Sequence, residues 1–222
     1  MALSMRLVAL ALVTALAPVA LAMPTQTTPA STSPADIARL IQAHYDDVKS
    51  FTADFSRSFR GGLLPQTTVQ RGTVKIRKPG RMRWTYKAPE EMEFVADGRK
   101  LWSYVKADRT CYETDIPTGD SVSTAVLFLA GKGSLTRDFK ASAAPVGSPA
   151  DWRVLLTPTT PQAEFRQLVL GVERTSLKLT TMETVDADGG TSTFRFSNLR
   201  ENVSLNDREF VFTAPKGVDV IR

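Results

Sequence analysis

The stretch that decides the fold is GTVKIRKPGRMRWTYKAPEEMEFVADGRKLWSY, residues 72–104. Apolar side chains alternate with Lys, Arg and Thr on both sides of Pro79-Gly80, which is typical of two half-buried strands joined by a turn. Asp97-Gly98 predicts a second tight turn. The apolar positions carry unusually large rings for so short a stretch: Trp84, Tyr86, Phe94, Trp102 and Tyr104. Rings crowded on one sheet face need a wide partner, so whether that partner is protein or ligand is the functional question.

The N-terminus has the three parts of a secretory signal peptide. Residues 1–6 carry one positive charge, residues 7–22 form an apolar run, and a small-x-small pattern ends at Ala22. The run is short for a membrane span and contains Pro18, so a retained anchor is the weaker interpretation. We expect export and cleavage after Ala22. The residue directly after the cleavage site is Met23 and not a cysteine, which argues against lipid attachment to the chain itself.

The mature sequence predicts one domain. Residues 23–35 are rich in Pro, Thr and Ser, which is typical of a flexible linker, and residues 36–222 are long enough for a domain with its own core. The formal charge is +5, or +4 without Arg6, and a pI near 9.5 favours acidic partners or anionic membrane surfaces. The charges are scattered, which argues against nucleic acid as a partner. Cys111, the only cysteine, lies in a strand pattern and is interpreted as a small strand side chain.

The order of predicted elements indicates a sheet interrupted once by helix. A first helix is predicted from residue 34 or 36, with a 3.6-period stripe of Ile37, Leu40, Ile41, His44 and Val48. From Phe51 the period changes to two, and short turns predict a meander of strands. Residues 120–129 predict a middle helix, and residues 134–139 a short helical turn. About eleven strands exceed what an open sheet carries without curling. We therefore predict a mainly β (α+β) fold, an incomplete antiparallel β-barrel of about eleven strands whose open side the helices cover.

The sequence carries none of the motifs that would indicate an enzyme. Gly131-Lys132-Gly133-Ser134 lacks the residue order of a phosphate loop, and no GxSxG, CxxC or HExxH pattern occurs. His44 is the only histidine, and unless distant residues converge on it, it cannot build a His-based metal site or a Ser-His-Asp triad. We therefore predict no catalytic residues, no metal site and no cofactor.

Several strings, taken in order, resemble the LolA family of periplasmic carrier proteins for outer-membrane lipoproteins. They are SFTADF at 50–55, the segment 72–84 with its KPGRMRW core, VADG at 95–98 followed by LW at 101–102, LFLAG at 127–131, FVF at 210–212 and PKGVDVI at 215–221. Together they span nearly the whole mature chain. Their shared order behind a signal peptide is specific to the family.

The resemblance implies an incomplete barrel with a lid of short helices, whose apolar inner face takes the acyl chains of triacylated lipoproteins. It implies a periplasmic chaperone, not an enzyme, that receives its cargo from an inner-membrane lipoprotein-releasing complex and delivers it to an outer-membrane acceptor. We expect a monomer. On this resemblance, the residues expected to line the cavity are Phe51, Phe55, Trp84, Tyr86, Phe94, Trp102, Val122, Val126 and Leu129.

The family commonly has an arginine just before the proline of the KPG motif, where it bonds to the lid. Here that position is Lys78, with Arg77 beside it, so either residue is a candidate latch and a solvated basic turn is the alternative. Our hypothesis is that the middle helix opens when cargo arrives, with Gly119 and Gly131 as hinges. The competing functions are a lipid-binding or envelope-stress sensor module of the same fold, and a β scaffold with a dry core.

Overall fold

The computed structural model describes residues 32–61, 66–116, 129, 131, 133–161 and 165–222. Its helices are α1 (Pro34–Asp47), α2 (Leu135–Asp138) and a 3-10 helix (Asp207–Phe210). Its strands are β1 (Ser50–Arg60), β2 (Thr67–Arg77), β3 (Arg81–Ala88), β4 (Met92–Asp97), β5 (Lys100–Val105), β6 (Thr110–Asp115), β7 (Phe139–Ala143), β8 (Asp151–Pro158), β9 (Gln167–Glu173), β10 (Leu179–Val185), β11 (Thr191–Glu201) and β12 (Asp219–Ile221). The expected signal peptide and most of the expected middle helix lie outside the described residues. The division into signal peptide, linker and domain stays a prediction.

The described strands form a single sheet in the order β12-β6-β5-β4-β3-β2-β1-β11-β10-β9-β8-β7. Strands β1–β6 form one antiparallel meander and β7–β11 a second, and the antiparallel β1/β11 pair joins them. Strand β12 returns to pair in parallel with β6. Within the described ranges the edge strands β12 and β7 do not pair with each other, so the barrel stays open. The prediction of a mainly β, incomplete antiparallel barrel is confirmed, with twelve strands where about eleven were expected.

Strand β7 is the element that the sequence pattern missed. Phe139 was expected to end a helical turn, but the helix stops at Asp138 and Phe139 is the first residue of a strand paired with β8. Its side chain is buried, while the apolar positions that follow it hold only alanine, so the alternation with Lys140 and Ser142 is a weak strand signal. Sheet pairing therefore decides the conformation of a segment whose own pattern favours neither helix nor strand.

Helix α1 packs against α2, β7 and β8. Ser33 caps it, since its Oγ accepts a hydrogen bond from the backbone N–H of Asp36 at 3.1 Å. Leu40, expected on the buried stripe, is 45% exposed, and His44 lies beside β11 with Nε2 3.0 Å from Oε1 of Glu201. The stripe that is buried consists of Ile37, Ala38, Ile41 and Tyr45.

The sheet has an inner face, which packs with α1 in one apolar core, and an outer face. Over residues 51–55 of β1, 72–76 of β2 and 82–86 of β3 the inner positions alternate with polar ones, as the pattern of residues 72–104 predicts for β2 and β3. The buried inner-face side chains of these strands are Phe51, Ala53, Phe55, Val74, Ile76, Met82, Trp84 and Tyr86. Large rings and small residues therefore share the inner face of neighbouring strands.

Gly72 allows one of those rings to lie across β2. It pairs with Phe55 on one side and with Tyr86 on the other. A Cβ added at Gly72 would stand 2.0 Å from the carbonyl oxygen of Thr85 and 2.7 Å from Cζ of Phe55. Because real Cβ atoms do not approach so closely, the position requires glycine, and the Phe55 ring occupies the space that a side chain would take.

The C-terminal segment covers the outer face of β3 and β4. Phe210 is 1% exposed, and the guanidinium of Arg77 lies 5.3 Å from the centroid of its ring. Arg83 donates from Nε to the carbonyl oxygen of Glu209 and from Nη2 to that of Val211, each at 2.7 Å. This part of the outer face is therefore packed against protein.

Candidate functional site

Six aromatic rings meet on the inner face, and we call them the aromatic cluster: Phe55, Trp84, Tyr86, Phe94, Phe194 and Phe196. Phe55 is at its centre, with ring centroids 5.2 Å from Trp84 and 4.9 Å from Tyr86. Phe194 extends the cluster onto β11, 5.8 Å from Phe55 and 5.4 Å from Trp84. Most of these contacts are edge-to-face or tilted, a favourable geometry for aromatic pairs.

Burial changes across the cluster. Trp84 and Tyr86 are 6% exposed and Phe55 is 3% exposed, so these rings belong to the core. Phe94, Phe194 and Phe196 are only half-buried although they share the same face. The cluster is therefore core on one side and accessible apolar surface on the other, which is what an apolar ligand requires.

Two members of the cluster, Phe194 and Phe196, were not among the residues that the sequence led us to expect in the cavity. Phe196 is the direct cross-strand neighbour of Phe55, and Phe194 lies on the same face two residues earlier. The available signal was the alternation Thr-Phe-Arg-Phe within residues 191–198, which already indicates a strand with rings on one face.

Phe51 and Leu129 lie in the apolar core and not in the cluster. Phe51 is 1% exposed, and its ring centroid is 6.3 Å from that of Tyr45. Leu129, at the end of the expected middle helix, is fully buried in the same apolar core. Val122 and Val126 lie outside the described residues.

Trp102, which the sequence led us to expect in the cavity, lies on the outer face of the sheet. It pairs with Val95, whereas Phe94 of the cluster pairs with Ser103, so Trp102 points to the outer face. There its ring stacks on Phe212 with centroids 6.5 Å apart, and Tyr104 lies 5.7 Å from the same ring. The rings of residues 72–104 are thus divided between the two faces, and the C-terminal segment covers the outer pair.

Arg57 marks one end of the aromatic cluster. Its Nε donates to Oγ of Ser192 at 2.8 Å and its Nη1 to Oε1 of Gln70 at 3.0 Å. The guanidinium also lies 5.6 Å from the ring centroid of Phe194, within cation–π range. Burial raises the pKa of the neighbouring Tyr86 phenol, and the Arg57 charge opposes that rise. The apolar surface therefore ends here at a fixed polar boundary.

Lys78 connects β2 to α1 and to the end of the expected middle helix. Its Nζ donates to the carbonyl oxygen of Tyr45 and lies 5.3 Å from the centroid of the Tyr45 ring. Burial lowers the pKa of Lys78. Gly131 has φ of 77°, and a Cβ there would come within 2.7 Å of Cδ of Lys78. The Lys78 side chain therefore lies directly against the backbone of Gly131.

Arg77 points the other way. Its Nη1 donates to the carbonyl oxygen of Leu205 at 2.6 Å, and its Nη2 pairs with the carboxylate of Asp207. Together with the contact to the Phe210 ring, these bonds hold Arg77 against the C-terminal segment on the outer face. The two candidate latches are thus on opposite sides of the sheet.

The fold and its inner face define an open half-barrel protein with a partly accessible apolar surface. A family model described as "Outer membrane lipoprotein carrier protein LolA" matches residues 46–213. The chain belongs to the LolA family, which confirms the resemblance seen in the sequence. No helix among the described residues has the length and apolar content needed to cross a membrane.

Similar proteins agree with this assignment. The outer-membrane lipoprotein carrier protein of Nitrosomonas europaea is 28% identical, over 85% of this chain and 90% of that one. The protein of the same name from Ralstonia nicotianae is 31% identical, over 82% and 85% of the two chains. An uncharacterized conserved protein from Thermus thermophilus has a solved structure with a TM-score of 0.54, at 12% identity and covering 83% of this chain and 98% of that one. This last likeness concerns the fold alone.

Proposed function

We propose that this protein is a periplasmic carrier that binds the acyl chains of lipoproteins released from the inner membrane and delivers them to the outer membrane. The observation that carries the proposal is the change in burial across the aromatic cluster. Phe94, Phe194 and Phe196 present ring surface on the inner face of an open sheet. Membership of the LolA family supports acyl chains as the ligand of that surface.

The transfer of cargo requires that the site bind acyl chains with only moderate affinity. Burying a methylene group contributes ~0.8 kcal/mol, so about 45 methylenes in three acyl chains would release roughly 35 kcal/mol relative to water. Non-covalent affinities reach only about 20 kcal/mol. The relevant competitor is therefore a membrane or a second carrier, and a carrier that must hand over its cargo binds the chains only moderately. A set of rings that the core covers on one side only suits that role, because flexible acyl chains can pack on its accessible side.

Lys78 is the proposed latch of the lid, and Arg77 is not. Lys78 contacts both α1 and Gly131, whereas Arg77 is bonded to the C-terminal segment. Replacing Lys78 with Met removes the bond to Tyr45 but keeps most of the side-chain volume. In the cargo-free protein, Lys78→Met should increase the fluorescence of an environment-sensitive apolar dye, because the inner face opens more often. Arg77→Met is the matched control, and an equal increase in both variants would refute the assignment.

The partners follow from the same proposal: triacylated lipoproteins as cargo, an inner-membrane releasing complex as donor and an outer-membrane acceptor as recipient, with the carrier acting as a monomer. The test is mass spectrometry of what co-purifies with the tagged protein after periplasmic expression. Enrichment of lipoproteins with intact acyl chains is the expected result. Free phospholipid alone would favour the lipid-binding or sensor module, and no lipid at all would favour the dry scaffold; either outcome overturns the carrier.

A further inference from the structure

A trough lined by basic side chains runs along β1 on the outer face, opposite the aromatic cluster. Its floor is small and polar, because β1 presents Thr52, Asp54 and Ser56 on this side. Two adjoining depressions of about 460 and 530 Å³ share Asp54 and Thr73. The basic side chains that line them are Arg71, Lys75, Lys87, Arg195 and Arg200. We call these side chains, together with the polar floor, the basic trough.

Strand register arranges four of these cations in two rows across the trough. Ser56 is paired with Arg71 on β2 and with Arg195 on β11. Thr52 is paired in the same way with Lys75 and Arg200. Neighbouring strands are about 4.8 Å apart and a strand rises about 3.3 Å per residue. The Cα atoms at the two ends of a row are therefore about 10 Å apart, and the rows are separated by about 13 Å along β1.

A β-bulge is what brings both β11 arginines to this face. Arg195 and Arg200 are five positions apart, so regular alternation would place them on opposite faces. The register between β1 and β11 shifts between Thr52 and Asp54, and Asn198 has φ of 53°. Nδ2 of Asn198 donates to Oδ2 of Asp54 at 2.7 Å, which ties the bulge to the floor. Bulges of this kind redirect side chains at binding surfaces.

The charges of the trough are poorly balanced within the chain. Lys75 pairs with Glu209 of the C-terminal segment. Within the described ranges, no carboxylate forms an ion pair with the four other cations: Arg71, Lys87, Arg195 and Arg200. Asp54 is the carboxylate of the lining. A concave strip with this excess of positive charge attracts an anionic partner.

We propose that the basic trough binds an extended acidic segment of a partner protein, with carboxylates four residues apart. In an extended chain such residues lie on one face about 13 Å apart, the separation of the two rows. The Asp54 carboxylate between the rows would repel a phosphate but can accept a hydrogen bond from a peptide N–H. A flat layer of lipid headgroups does not reach a recessed floor of Thr and Ser. The shape and the central carboxylate therefore favour a peptide over a membrane surface.

The test uses the complete protein and a fluorescein-labelled nine-residue peptide of Gly and Thr with glutamates at its third and seventh positions. The binding constant is measured by fluorescence anisotropy at low salt. The double substitution Arg71→Gln/Arg195→Gln should raise Kd about tenfold, because two exposed ion pairs are lost. Lys140→Gln/Arg166→Gln removes the same charge from exposed positions outside the trough and should change Kd less than twofold.

Three further results decide the matter. A peptide with glutamates at the third and sixth positions, which point to opposite faces, should bind about tenfold more weakly. Equal losses in the two double variants would mean attraction by net charge alone and would overturn the proposal. Binding to vesicles containing phosphatidylglycerol that depends on Arg71 and Arg195, without binding of the peptide, would assign the trough to a membrane surface and would also overturn it. Unchanged circular dichroism of both variants confirms that the fold is kept.

Discussion

Alanine substitution of Phe194 separates the ligand surface from the core. The ring is half-buried on the inner face, 5.8 Å from Phe55 and 5.4 Å from Trp84. An aromatic side chain offers roughly 150–250 Å² in all, and because Phe194 is partly buried, about a quarter of that area, roughly 50 Å², remains for a ligand. At about 25 cal/mol per Å² that surface contributes about 1.2 kcal/mol to acyl-chain binding. The substitution Phe194→Ala should therefore weaken binding about eightfold.

The cost to stability should be smaller than for a core ring. Phe55→Ala removes a ring that is 3% exposed and should lower the free energy of unfolding by about 3–5 kcal/mol. Phe194→Ala should lower it less, by about 2–3 kcal/mol, since part of the ring is already outside the core. Urea unfolding measures the free energy, and titration with a fluorescent fatty acid measures binding.

Phe212 provides the control because it is also half-buried but lies on the outer face against Trp102. Phe212→Ala should cost a similar amount of stability and leave fatty-acid binding unchanged. The reasoning is wrong if Phe194→Ala binds the fatty acid as tightly as the unsubstituted protein. It is equally wrong if Phe194→Ala and Phe212→Ala weaken binding by the same factor, since the effect would then come from general loosening.

Three further predictions concern the surroundings of the site. Gly131→Ala should lower the unfolding free energy by about 1 kcal/mol more than Gly217→Ala. The two glycines have nearly the same φ, 77° at Gly131 and 79° at Gly217, but only a Cβ at residue 131 would displace the Lys78 side chain. In a Lys78→Ala background the difference between the two substitutions should vanish. Cys111 is fully buried and burial raises its pKa, so the thiol should react with Ellman's reagent only after unfolding; rapid reaction of the folded protein would contradict this. The hydrogen bond from Arg137 lowers the pKa of the Asp138 carboxyl below its usual value of 3.8. The free energy of unfolding should therefore fall as the pH drops below about 4, and Asp138→Asn should flatten that dependence in acid unfolding curves.

The strands were predictable where the side chains alternate, and the helix where a 3.6-residue period holds. Residues 72–104 show the alternation plainly, and the strands β3 and β4 follow it. Strand β7 was not predictable, because after Phe139 it consists of small residues and Lys, and its conformation depends on pairing with β8. Local pattern decides an element only where the pattern is strong.

The chemistry of the site was easier to predict than its geometry. The sequence indicates large rings on strands but not which rings share a face, since that depends on how each turn sets the register. Phe94 and Trp102 are eight residues apart, an even spacing that suggests one face, yet the tight turn between them pairs Phe94 with Ser103 and sends Trp102 outward. The shift near Asn198 is likewise invisible in the sequence, although it decides where Arg200 points.

The junction between β1 and β11 has a consequence for the order in which the chain can fold. Phe51 is paired with Glu201, so the two meanders cannot join until almost the whole polypeptide is available. Until then β1 is paired with β2 on one side only and its other edge is unpaired, and such non-local pairings form slowly. We propose that this polypeptide leaves the cytoplasm N-terminus first. The late pairing of β1 with β11 then keeps the chain unfolded enough to pass through the membrane. The exposed edge of β1 makes protection from aggregation most important before β11 is available for pairing.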